Sequence, residues 1–129
     1  MTIALTLMLF SEFTSAKCSE LFYTFRGQVF DKYGNPAVGA FVGASWLEYG
    51  QIAGPAISVT DRSGYYRLFV RFRPNDDIPL VGAACTDKIM HINLIAYVDD
   101  QRSTPTKVPI SSLTQNLPKI RINESALGK

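Results

Sequence analysis

Thr60-Asp61-Arg62-Ser63-Gly64-Tyr65-Tyr66-Arg67-Leu68-Phe69-Val70-Arg71-Phe72-Arg73 is a tight turn followed by a run of strict alternation. Tyr66, Leu68, Val70 and Phe72 fall on one face; Tyr65, Arg67, Phe69, Arg71 and Arg73 fall on the other. Successive side chains of a strand point to opposite faces, so this pattern predicts a strand with one face in a core. Asp61 can bond its own backbone and Gly64 can take the left-handed position, which predicts a four-residue hairpin turn ahead of the strand.

The same grammar extends in both directions. Upstream, Tyr23, Phe25, Gly27 and Val29 share a face, with Arg26 and Gln28 opposite. Asp31-Lys32-Tyr33-Gly34-Asn35-Pro36 is a second turn cluster, in which Asp31 and Gly34 take the roles of Asp61 and Gly64. Residues 38–47 predict a strand with Ala40, Val42, Ala44 and Trp46 inward, residues 48–55 a Gly- and Pro-rich loop, and residues 57–60 a short strand. Downstream, residues 74–79 break the pattern. Residues 89–98 resume it with Met90, Ile92, Leu94, Ala96 and Val98 inward, and residues 99–103 read as a turn. Short pieces at 107–110 and 119–122 complete about seven strands at roughly ten-residue spacing, the mark of an all-β sandwich. No amphipathic helix longer than two turns follows residue 16. The tail 123–129 has no apolar period and is expected to fray.

Composition narrows the function classes. A chain of 129 residues fits one domain. With 13 Lys+Arg against 11 Asp+Glu, the formal net charge is +2, too small to point to nucleic acid. One His and two Cys exclude sites needing several imidazoles and Cys-rich zinc modules, so no metal and no cofactor is expected.

Residues 3–10, Ile-Ala-Leu-Thr-Leu-Met-Leu-Phe, form an apolar block far short of the ~20 residues of a membrane span. Small residues follow, with Thr14 and Ala16 at −3 and −1 of a cleavage site before Lys17. Residues 1–16 therefore read as a signal peptide in preference to a buried first strand, although the segment before the block carries no Lys or Arg. The domain proper spans 17–122. Its expected place is periplasmic or secreted, free or held at the envelope. In an exported chain, an even Cys count favours a disulfide between Cys18 and Cys85, closing 68 residues and contributing about 4 kcal/mol less any strain. Lipidation of Cys18 is the rival, against which stand Ser15 and Lys17 where a lipobox has other residues. Two free thiols suit a reducing compartment better.

Gly27-x-Val29-x-Asp31-x-x-Gly34-x-Pro36-x-x-Gly39-Ala40-x-Val42, followed by Thr60-Asp61-x-x-Gly64-x-Tyr66-x-Leu68, resembles the carboxypeptidase regulatory-like domain. The resemblance covers residues 25–72 and implies a seven-stranded, Greek-key, transthyretin-like (prealbumin-like) sandwich. In that family the domain is usually an accessory, beside a zinc carboxypeptidase, at the start of TonB-dependent receptors or within adhesion proteins. Some relatives of the same fold bind carbohydrate. On this reading Gly27 lets a neighbouring backbone approach, and Gly34-Asn35-Pro36 turns the first hairpin. Gly39-Ala40 makes a crowded start to the second strand.

Enzymes on related sandwiches need residues this sequence lacks. Hydroxyisourate hydrolase needs several His and a Tyr-Arg-Gly-Ser end, intradiol dioxygenases two His and two Tyr on iron, and zinc carboxypeptidases two His and a Glu. Only His91 is present, read as a surface residue beside Asn93. Asp31 and Asp61 are explained by their turns without calcium. Asp76-Asp77 and Asp99-Asp100 are read as solvated turns. The face with interaction character is Tyr65, Arg67, Phe69, Arg71 and Arg73, where aromatic and guanidinium groups suit a sugar, an acidic polymer or a protein partner. Its bland alternative is aromatics covering a loop while Arg side chains snorkel. Trp46, Tyr49 and Tyr33 form a second candidate aromatic group. The expectation is a non-catalytic exported binding or interaction module with a protein or carbohydrate partner, no nucleic acid and no membrane span. The alternative is a structural subunit of an envelope or adhesion assembly.

Overall fold

A computed structural model describes residues 19–74 and 87–125. Residues 1–16, expected to be a signal peptide, lie outside the described residues, as do Cys18, Cys85 and Asp76-Asp77. The described residues form nine strands and no helix: β1 (Leu21–Phe30), β2 (Phe41–Glu48), β3 (Gln51–Val59), β4 (Tyr65–Phe72), β5 (His91–Val98), β6 (Gln101–Ser103), β7 (Thr106–Pro109), β8 (Thr114–Asn116) and β9 (Ile120–Ser125). The count exceeds the expected seven by β6 and β8, three residues each, too short to show a period.

Hydrogen bonding orders the strands β3-β2-β5-β6-β9-β1-β4, with β7 on β5 and β8 on β1. The ladders are antiparallel except those of β1 with β8 and with β9. The sheet curls until its end strands β3 and β4 come into contact, so it is nearly closed. Buried side chains fill the space it encloses, among them Phe25, Val29, Val42, Leu68, Ile92, Leu94 and Ile122.

The two Asp turns form as expected, but neither closes a hairpin. Asp61 Oδ1 accepts from the backbone N–H of Ser63 at 2.9 Å and of Tyr65 at 3.0 Å, and Gly64 has φ +79°. Asp31 Oδ1 likewise accepts from Tyr33 and Asn35, both at 2.9 Å, with Gly34 at φ +84°. The strands each turn joins are not partners: β1 pairs with β4, β8 and β9, and β2 with β3 and β5. Both turns are corners carrying the chain between the two parts of the curled sheet. Thr60 fastens them together. Its buried hydroxyl donates to the Ala37 carbonyl at 2.5 Å and accepts from the Ala40 N–H at 2.8 Å.

The true two-residue hairpins lie elsewhere. Tyr49 (φ 54°) and Gly50 (φ 77°) join β2 to β3, both left-handed as a type I′ turn requires. Asp99-Asp100 joins β5 to β6. Residues 51–55, expected to be loop, are therefore part of a strand that runs on through the expected one at 57–59. β3 is an end strand with no fully buried residue, so it has no alternation to read.

Three further expectations change. Met90 is exposed, and Ile89 is buried in its place. The Ile89 N–H donates to the Tyr23 hydroxyl at 3.1 Å, which draws Ile89 inward before the period of β5 begins. Gly39 has open space around it and φ +71°, so its role is conformational and not one of crowding. The tail is ordered as far as Ser125, because β6 pairs Gln101 with Ser125 and Arg102 with Glu124.

At Gly27 the close approach comes from a side chain. Tyr66 is its cross-strand partner on β4, and the ring lies directly over it. An aromatic ring covering a strand glycine fills the space a side chain would take. The Tyr66 hydroxyl is buried with no hydrogen-bond partner, and burial pushes its pKa well above the usual tyrosine value. The fold thus favours the neutral phenol. That contribution is fully present below about pH 10 and is lost as pH rises above it. Tyr66→Phe is expected to raise stability by up to about 1 kcal/mol at pH 7 and to weaken the alkaline loss, as followed by urea unfolding at pH 7 and pH 10.5.

Candidate functional site

The alternation of β4 carries Tyr65, Arg67, Phe69 and Arg71 to solvent while Tyr66, Leu68, Val70 and Phe72 are buried. Arg73 continues the outer row and is also exposed. Tyr65 is 55% and Phe69 67% accessible, so neither is consumed covering a loop. Antiparallel pairing sets β1 beside this row, with Gln28 across from Tyr65, Arg26 from Arg67, Thr24 from Phe69 and Phe22 from Arg71. Phe22 is exposed as well, and the face therefore mixes aromatic rings and guanidinium groups over two strands.

Charge is unevenly settled along it. Glu20 pairs with Arg73 at 2.9 Å and with Arg71 at 3.5 Å. These pairs are solvent-screened and contribute at most about 1 kcal/mol. Arg26 and Arg67 face each other directly, and among the described residues neither meets a carboxylate. Like charges directly opposite are unfavourable on a sheet. Beside them a groove of 590 Å³ runs from Arg26, Arg67 and Phe69 past Tyr65 to Val59 and Asp61. Asp61 lines the same groove, its Oδ1 accepting from its own turn, and forms no ion pair with either Arg.

The second aromatic group does not exist. Trp46 is only 8% exposed and packs in the core against Gly54, so it is not a binding residue. Tyr33 lies in the turn before β2 and Tyr49 in the hairpin after it, at opposite ends of that strand. Tyr49 belongs instead with the β4 row: its hydroxyl donates to the Arg73 carbonyl at 2.8 Å. His91 is half-buried across from Pro109. Among the described residues, no three of His, Cys, Asp and Glu gather as metal ligands would, and no helix is long and apolar enough to cross a membrane.

One feature was missed from the sequence. Phe41 on β2, Ile57 and Val59 on β3 and Tyr97 on β5 are exposed side by side on the outer face of the sheet. Gly43 forms the floor of a 230 Å³ hollow among them, walled by Pro55, Ile57 and Ile95. The signal was present in apolar residues at outward positions of these strands, but attention to the inward set conceals it.

No protein-family model and no curated protein matches the chain. Solved structures do. The 3-chlorocatechol 1,2-dioxygenase of Rhodococcus opacus 1CP is similar at 13% identity and a TM-score of 0.49, over 85% of this chain and 61% of that one. The chlorocatechol 1,2-dioxygenase of Pseudomonas putida is similar at 16% identity and a TM-score of 0.47, over 80% and 60%. A 9R-lipoxygenase from Cyanothece PCC8801 reaches a TM-score of 0.50 at 11% identity, over 80% of this chain and 17% of that one. The chain spans about three fifths of the length of the dioxygenases. At such identities the likeness extends to the all-β fold alone.

Proposed function

We propose that the chain is an exported, non-catalytic binding module of the carboxypeptidase regulatory-like type, with a transthyretin-like Greek-key sandwich and the outer face of β4 as its contact surface. The observation that carries this is the row Tyr65, Arg67, Phe69, Arg71 and Arg73, exposed beside a groove whose two facing guanidiniums have no carboxylate among the described residues. The turns support the family reading through Asp31 and Asp61 bonding their own backbone and Gly34 and Gly64 at positive φ, although neither turn closes the hairpin that the resemblance implies. A crosslinker placed at Phe69 should capture a protein or glycan partner in the native compartment, and Tyr65→Ala with Arg67→Ala should abolish capture. Capture unaffected by both substitutions would refute the assignment of this face.

A second reading, a structural subunit of an envelope or adhesion assembly, is favoured by the apolar outer patch of β2, β3 and β5. Contiguous exposed apolar side chains mark protein contacts. Ile57→Asp should then disperse the assembly and leave capture at Phe69 intact, as measured by sedimentation of the extracted complex.

A further inference from the structure

We propose that β4 accepts an extended acidic segment of a partner protein as an added strand in the groove between its outer edge and β3. This rests on the outer face of β4 being the contact surface and names what that surface takes. Among the described residues β4 has a strand partner on its β1 side alone; on its other edge Tyr65 is tied to Asp61 and Arg73 to Glu48 and Tyr49, and between them Arg67 and Phe69 line the groove shared with Ser58 and Val59 of β3. It contains no Gly and no Pro, and its register with β1 is unbroken from Leu21 opposite Phe72 to Gln28 opposite Tyr65. Such an edge presents a row of backbone donors and acceptors ready for another strand. The other end strand, β3, is a poorer template. It carries Gly54 and Pro55, and its register against β2 shifts. Proline has no N–H to give to a ladder.

The side chains specify the occupant. An added strand has the same period of two, so its outward residues would stand beside Tyr65, Arg67, Phe69 and Arg71. Arg67 lies against Arg26 with no carboxylate among the described residues, and a Glu or Asp at the matching position relieves that repulsion. The chain shows the chemistry itself at the other end of the row, where Glu20 holds Arg71 and Arg73. Apolar residues two positions away on either side of the acidic one would pack on Tyr65 and Phe69. The same charges reject a second copy, because β4 laid on β4 sets one row of Arg beside another.

The test uses the full chain and short fluorescent peptides. One carries a central glutamate with valine two positions to either side and threonine between, one replaces the glutamate with lysine, and one replaces a threonine beside the glutamate with proline. The glutamate peptide should bind, and the lysine and proline forms should bind at least about tenfold more weakly, a difference of 1.4 kcal/mol. Arg67→Glu should reverse the charge preference, Arg67→Lys should retain it, and bound peptide should slow amide exchange along β4. Equal binding of the proline form, protection at β3 instead, or no binding of any peptide would overturn strand addition. An acidic oligosaccharide bound through Arg67 while no peptide binds would likewise overturn it, yet leave the assignment of the β4 face standing.

Discussion

Gly27→Ala is expected to destabilise the protein by about 3 kcal/mol, at the upper end for an overpacked core. A Cβ built on Gly27 falls against the Tyr66 hydroxyl, with Cζ of the ring at 2.5 Å. Long side chains often yield to such a clash, but this one is a rigid ring, 4% exposed and enclosed in the core. It cannot leave without uncovering the enclosed face of β1 and β4. For a domain near 100 residues the melting temperature should fall by more than about 10 °C. Tyr66→Leu in the same chain removes the obstacle, so the double variant should lose less than the sum of the two single losses. Strict additivity would show that the ring does not lie over Gly27.

Gly64→Val should cost a similar amount for a different reason. At φ +79° a side chain carries the left-handed penalty of about 1–2 kcal/mol. Here its Cβ would also lie 2.5 Å from the Val29 carbonyl oxygen and 3.2 Å from Pro36. That carbonyl already accepts from the Ala37 N–H, and the Gly64 carbonyl accepts from the Val29 N–H, so both backbones are tied where the Cβ would enter. A total loss near 3 kcal/mol is expected. Gly34→Val supplies the comparison. Gly34 has φ +84° with nothing within 4 Å, so its loss should stay near the left-handed penalty alone. Equal losses at the two positions would mean that the Val29 contact carries no cost.

These two glycines mark what was legible in the sequence. The turns at Asp31 and Asp61 and the alternation of β4 are local signals, so strand, turn and outer face could all be read from residues 60–73. Pairing is not local. Nothing in Asp61–Gly64 reveals that the strands on either side go to opposite ends of the sheet, and a hairpin is the natural expectation. β3 could not be read because an end strand buries too little to alternate. The outward row of β4 was legible as a candidate site; that Arg26 faces Arg67 follows only from the register. Trp46 alternates with buried alanines, a pattern that places it in the core, yet the same ring is also a natural sugar platform, and only its burial in the structure decides between them.

The parallel ladders of β1 have a consequence for biosynthesis. β1 is made first among the described strands, but it takes partners from β8 at Thr114–Asn116 and from β9 at Ile120–Ser125. Pairings this distant along the chain make for slow folding. While the protein is being translated, β1 can hold β4 but cannot complete its other side until β8 and β9 have emerged. A nascent chain stalled before residue 114 should therefore remain open to protease, and protection should come only once β8 and β9 have emerged.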